Sequence, residues 1–440
     1  MRRNNFIIYT LTSFPLIWFT SVILNLNGFD ITRIATTIYI DAIVIYLFIV
    51  KRNDYHINIA IKTLIIAAII LIFQAINPFN IIYKNSFSMS QQIFISTTYL
   101  LLILFYISVI NIFKNQIKAY LIGILYASLI IELFIILLML FSTLNHILAL
   151  SFNNIRILNQ IQIIIIPSLF MLLSHLRNLK YKLLTYIAII LNLLLVMFTG
   201  ARGVTYALTI IYLFYFFKNK NIYTKRISIK IIITVVVSVI LYMILKDTPF
   251  IQNGHLKHFD ILFNSDGRGV IYKTEFAMLS KPYYFFNAIG FSPHNIFYFG
   301  HFHPHNFLLY LANGGGVFIF IVLLILLFLF VYHTYNKAHF SIVILLSYIL
   351  YSMVSGTYIN PLSTLYFIIF LAVFFNKTRK LKKINTGTIA ILIGIVILLN
   401  VLTLCTNTKY AIIDNKQHKH IICGEGIFIM NRKLLKRSAN

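Results

Sequence analysis

Residues 119–141 read AYLIGILYASLIIELFIILLMLF, a run in which Glu132 is the one charged side chain. A helix needs about 20 predominantly apolar residues to cross the hydrocarbon core of a bilayer, and this run has that length. The rest of the chain shares its character. The 440 residues are 60% hydrophobic and 11% charged, where an ordinary soluble domain is about 25% charged. No water-soluble core hides so many apolar side chains, so lipid is the solvent for most of them.

Working outward from 119–141, about 13 apolar runs of this kind can be placed. They lie near 6–26, 32–50, 58–77, 92–113, 119–141, 157–174, 182–199, 204–217, 231–245, 307–333, 341–357, 362–376 and 387–405. The run after Arg2 and Arg3 is long enough to stay in the bilayer as a first span, not to be cleaved as a signal peptide. The run at 204–217 is short, as a tilted, broken or partly re-entrant segment would be. The pattern predicts an all-α polytopic membrane protein of about 12–13 transmembrane helices. Residues 1–405 form one multi-span domain and 406–440 a basic, irregular tail.

The formal net charge is +27, which in a soluble protein would suggest a nucleic-acid partner. Here the basic residues fall in short loops between apolar runs, so topology explains them and no nucleic acid is expected. With the N-terminus inside, the even loops carry Lys51 and Arg52, Lys114 and Lys118, Arg177 and Lys180, Lys218 to Lys230, and Lys377 to Lys383. The short odd loops carry few, chiefly Arg33, Lys84, Arg156 and Arg202. By the positive-inside rule the odd loops face outward. The two cysteines, Cys405 and Cys423, match no metal spacing and allow at most one disulfide.

One outward loop, 246–306, is far longer than the others. It holds six of the thirteen histidines and four of the ten acidic residues. Any large aqueous loop collects polar residues, but a membrane protein that gathers its titratable groups in one external loop is predicted to work there.

Three short motifs carry the chemistry. Gly200-Ala201-Arg202-Gly203 sets an arginine beside hydrocarbon, which costs several kcal/mol without a partner or water. A snorkelling loop arginine is the plain reading. The functional reading is a guanidinium that grips phosphate oxygens bidentately, with the flanking glycines allowing a tight turn and a close ligand approach. Asp266-Gly267-Arg268-Gly269 repeats the arrangement in the large loop. Then His301-Phe302-His303-Pro304-His305-Asn306 leads into the apolar run from Phe307. Asn306 is a natural N-cap, which would put His305 beside a helix N-terminus, where anions are favoured and an imidazole can act as general base or phosphate ligand. No acidic or cysteine partner stands at a metal-binding spacing from these histidines. Gly314-Gly315-Gly316 follows early in the same run, weakening a helix there in return for close approach by a neighbouring helix or a lipid-linked ligand.

In this order the motifs resemble the O-antigen ligase and O-antigen polymerase superfamily. The resemblance rests on Gly200 to Gly203, on Gly267-Arg268 followed by Tyr272, on Ala288-Ile289-Gly290, and on His303 to Gly316. It covers residues 190–335 and elsewhere rests on hydropathy alone. Where the family often has Ser or Thr before its first arginine, this chain has Ala201. The resemblance implies a GT-C-like glycosyltransferase of the bacterial inner membrane, active on the periplasmic side, without metal or other cofactor. Its donor would be an undecaprenyl-diphosphate-linked oligosaccharide, and its acceptor a second glycan or lipid A-core. A chain-length regulator protein is a further partner that the resemblance allows. It assigns Arg202, Arg268 and His305 to catalysis, and His303, Asn306, Gly203, Gly267 and Tyr272 to substrate binding. The arginines would neutralise the departing diphosphate, His305 would serve as base or phosphate ligand, and Tyr283, Tyr284 and Phe285 would stack on pyranose faces.

Polymerase and ligase share this apparatus and differ in acceptor. The Ile-, Asn-, Lys- and Phe-heavy composition suggests AT-rich coding, common in strain-specific polysaccharide clusters, and favours polymerase. A lipid-linked oligosaccharide transporter would instead show intramembrane charges facing a cavity and internal repeats. Asp41, Lys62 and Glu132 are the charges within runs, and no repeat stands out.

Overall fold

A helix that is apolar on every side has no face to offer water and belongs in a bilayer. In the computed structural model the chain builds several of these. The structure describes residues 117–144, 155–218, 222–251, 306–310 and 341–355, the pairs 56–57 and 382–383, and single positions elsewhere. Within them lie helices α1 (Ile117–Met139), α2 (Ile155–His175), α3 (Leu179–Phe198), α4 (Arg202–Lys218), α5 (Ile222–Leu245) and α6 (Ser341–Ser352), with a short 3-10 turn at Pro249–Ile251. Four helices, α1, α2, α3 and α5, are long and apolar enough to cross a membrane. The 20 residues of α3 span about 30 Å at 1.5 Å per residue, which matches a hydrocarbon core.

The described runs at 119–141, 157–174 and 182–199 are helical within two or three residues of their expected ends. Two others differ. The run at 204–217 is one continuous 17-residue helix, α4, with no break, about 25 Å long. The run at 231–245 begins its helix at Ile222. Lys225, Arg226 and Lys230 lower hydropathy there but are good helix formers, so the backbone winds well before the apolar stretch starts. Apart from a few scattered positions, the runs at 6–26, 32–50, 58–77, 92–113, 307–333, 362–376 and 387–405 lie outside the described residues.

Two compact units interleave along the chain: Met1–Thr32, Ile112–Asn264 and Thr334–Thr378 make one; Arg33–Asn111, Ser265–His333 and Arg379–Asn440 make the other. In the first unit α2 is the central helix, packing against α1, α3, α4 and α6, while α3 also packs against α5. On α1 the inward stripe is Tyr120, Ile124, Ala127, Ile131 and Ile135, the three-to-four spacing of one helix face. Ile130, Leu133 and Leu137 on the opposite side are exposed, as lipid-facing side chains are. Ring contacts tie the helices together: Phe170 of α2 meets Tyr212 of α4 edge-on at 5.4 Å, and Phe198 of α3 meets Tyr242 of α5 at 5.3 Å.

In the second unit the backbone of His56–Ile57 pairs antiparallel with Lys382–Lys383, His56 opposite Lys383. These segments are more than 300 residues apart in sequence, and both belong to the basic loops that the charge alternation assigns to one side of the membrane. A ladder between them requires that shared side.

Candidate functional site

Thr199 is the C-cap of helix α3, and the next residue, Gly200, has φ of +59°. That is the left-handed region, where an L side chain meets the following carbonyl. The Gly200 N–H donates to Met197 O (3.1 Å) and the Ala201 N–H to Val196 O (3.1 Å). These two bonds form the Schellman motif, which satisfies carbonyls at the end of α3. Ala201 then starts α4: its carbonyl accepts from the Thr205 N–H at 3.1 Å. Arg202 is therefore the first residue of α4, fixed by backbone geometry on both sides and half-buried. The Thr199 hydroxyl braces the turn from below, within 2.9 Å of Asn159 Oδ1 on α2 and 2.8 Å of Leu195 O.

Arg202 thus stands at a helix N-terminus, whose dipole favours an anion. The opposite end of α3 is capped by Asn178, whose Oδ1 accepts from the Lys180 N–H at 2.9 Å. Arg177, Lys180 and Lys182 lie at that end. Arg202 and this basic loop are accordingly separated by the full length of a spanning helix, as the charge alternation requires.

Gly203 serves a different purpose from Gly200. A Cβ built there would lie 2.9 Å from Tyr351 Cε2 and 3.2 Å from Val354 Cγ2. The end of α6 occupies the space a Cβ would take, and the glycine allows two helices to approach closely.

Asn306, in the second unit, is an N-cap. Its Oδ1 accepts from the N–H groups of Leu308 (2.9 Å) and Leu309 (3.1 Å), and its carbonyl accepts from Tyr310 N–H at 2.9 Å. These bonds satisfy amides of the first helical turn, residues 307–310. Arg268, Gly267, Tyr272, His303 and His305 lie outside the described residues, as do the glycines at 314–316.

A second polar arrangement is buried between α1, α2 and α3. Glu132 is 2% exposed. Its Oε1 accepts from the Ser128 hydroxyl, one turn earlier on α1 at 2.9 Å, and from Asn192 Nδ2 of α3. Asn192 Nδ2 also reaches Ser128 Oγ at 2.7 Å and Ala188 O at 2.9 Å. Gln162 Nε2 of α2 donates to Asn192 O at 3.3 Å. Beside them is a cavity of about 10 Å³ lined by Ser128, Glu132 and Asn192 and by apolar side chains including Ile161 and Leu195. That is space for about one water-sized occupant. Glu132 was visible in the sequence as a charge within a span. Ser128, Gln162 and Asn192 were not singled out; the local signal for them is a hydroxyl one turn from Glu132 and the pair Asn159 and Gln162 on one face of α2.

The chain matches no protein-family model, and comparison with curated proteins and with solved structures gives no match.

Proposed function

We propose that the chain is an O-antigen-type polymerase: a metal-independent, GT-C-like glycosyltransferase of about 12–13 spans that joins undecaprenyl-diphosphate-linked repeat units at the periplasmic face of the bacterial inner membrane. The observation that carries this reading is the placement of Arg202 as the first residue of α4, behind the left-handed turn at Gly200. A guanidinium at a helix N-terminus suits a diphosphate twice over. It offers bidentate N–H donors, and the helix dipole adds to its field.

In this reading the anomeric C–O bond to the diphosphate breaks as the acceptor hydroxyl attacks, and Arg202 and Arg268 stabilise the charge that builds on the leaving group. Diphosphate leaves readily once neutralised, so no metal is called for. His305 takes the hydroxyl proton or holds a phosphate oxygen. The cap made by Asn306 on residues 307–310 supports His305 as the residue entering a helix start.

Deletion of the gene followed by gel analysis of lipopolysaccharide tests this. A core carrying a single repeat unit is the polymerase outcome. Bare core with accumulated lipid-linked polymer makes the chain a ligase acting on lipid A-core, and a normal ladder rejects both. A transporter of lipid-linked oligosaccharide is the second reading, and the buried Glu132 beside a cavity favours it, since intramembrane carboxyls commonly line transport paths. If Arg202→Ala, Arg268→Ala and His305→Ala all leave chain length and attachment unchanged, transport replaces catalysis.

A further inference from the structure

The cluster around Glu132 is short of hydrogens. Its side-chain donors are the Ser128 hydroxyl and the amides of Asn192 and Gln162, and both groups that reach the carboxyl meet it at Oε1. Glu132 Oε2 is buried with no partner among the described residues, and so is Gln162 Oε1. Bare acceptors of this kind, away from water, cost free energy. For a carboxylate in a membrane interior the cost is several kcal/mol, and such groups normally pair with a cation.

The described residues that line the cavity provide none. From α2 the cavity is lined by Leu158, Ile161 and Ile165, and from α3 by Asn192 and Leu195. None of these carries charge or titrates, and on α1 the other lining residues are Ser128 and Ile131. A metal cation fits poorly as well. Hard cations take about six or more oxygens, whereas the described wall offers the Glu132 carboxyl, the Ser128 hydroxyl and the Asn192 amide on an otherwise apolar surface. The occupant that supplies a hydrogen, cancels the charge and needs almost no room is a proton.

We propose that Glu132 is an exchangeable proton-binding site inside the membrane, with the proton carried on Oε2 towards the cavity. Oε1 remains the acceptor for Ser128 and Asn192 in this state, so the helix contacts of the cluster survive protonation. The cavity gives Oε2–H room for one hydrogen-bonded water, through which the proton exchanges. The polar side chains of Gln162 and Asn159 on α2, with Thr199 bonded to Asn159, run from the cluster towards the end of α3 that bears the Arg202 turn. This inference is independent of the polymerase reading and holds for a transporter equally.

Infrared spectroscopy of the full chain in lipid bilayers tests it directly. The sequence contains three glutamates, Glu132, Glu275 and Glu425, and of these Glu132 alone lies in an apolar run. In neutral buffer the wild type should show a carboxylic-acid C=O band that moves when the chain is grown on carboxyl-¹³C glutamate. The band should be missing from Glu132→Gln and should shift when the bilayers are equilibrated in D₂O. The isotope arm needs no variant, so misfolding of Glu132→Gln cannot obscure the result. Absence of a glutamate acid band overturns the proposal, and a band that does not shift in D₂O overturns exchange.

Discussion

The turn at Thr199–Gly203 and the cluster at Glu132 both lie along helix α3, yet they hold their ionisable groups by different means. At the turn, Arg202 is placed by backbone bonds: the left-handed Gly200, the paired N–H donors of a Schellman motif, and the start of α4. At the cluster, Glu132 is placed by side chains from three helices, with Asn192 as the hub. A group placed by the backbone keeps its position when its side chain is exchanged, because the bonds that set that position are main-chain bonds. A group fixed by a buried network does not, since each partner removed leaves another unsatisfied.

The largest effect should come from the turn and should appear only in function. If the chain is the proposed polymerase, Arg202→Ala removes a charge that would stabilise the leaving group. Loss of one comparable electrostatic contact lowers turnover by about 10²–10³-fold. Repeat-unit polymerisation measured with lipid-linked donor should fall that far, while the thermal unfolding temperature of the purified protein stays near wild type. A large drop in unfolding temperature would mean that Arg202 holds the helices together, erasing the contrast with Glu132.

The cluster should respond the other way. Asn192→Leu removes a donor to Glu132 Oε1 and to Ser128 and strands buried acceptors, which costs about 1–3 kcal/mol. Unfolding temperature should drop by several degrees, and Glu132→Gln, which keeps a polar group in place, should lose less. Equal losses for the two variants would place the energy in packing and not in the hydrogen bonds.

Much of this contrast was readable in advance on one side only. The Gly-x-Arg-Gly spacing at 200–203 announces a turn because glycine is the residue that takes positive φ, and the apolar runs announce the spans because hydrophobic length is set by the bilayer. Helix ends were blurred where the cue was hydropathy and not helicity, as at Ile222, where lysines extend α5 beyond the apolar stretch. Asn306 could be named as a cap since capping is local, and its two side-chain bonds sit where the sequence puts them. Asn192 is one of a few polar residues in an apolar run, and nothing within α3 says that its partners lie on α1 and α2. Gly203 shows the same limit: that its missing side chain makes room for α6 is legible only once Tyr351 is seen beside it.

Gly203→Ala should test that last point. The added methyl lands 2.9 Å from the Tyr351 ring, so α4 and α6 must separate slightly. Overpacking of this kind costs about 1–3 kcal/mol. The unfolding temperature should fall, and Gly203→Ala combined with Tyr351→Leu should recover part of the loss. No recovery in the double variant would free Gly203 from the helix contact and return it to the substrate side.

The smallest effect is expected one turn away, at Gly200. Alanine in the left-handed region costs about 1–2 kcal/mol, and asparagine, which tolerates this conformation, should cost less. Gly200→Ala should therefore lower the unfolding temperature modestly while Gly200→Asn stays close to wild type. Because Arg202 depends on this turn for its position, Gly200→Ala should also reduce polymerisation out of proportion to its stability loss. The cluster is held by α1, α2 and the middle of α3, so the Glu132 infrared band should be unmoved by either change. A shift of that band would reveal that the turn and the buried carboxyl are coupled through α3, and the separation drawn between a backbone-built and a side-chain-built site would no longer hold.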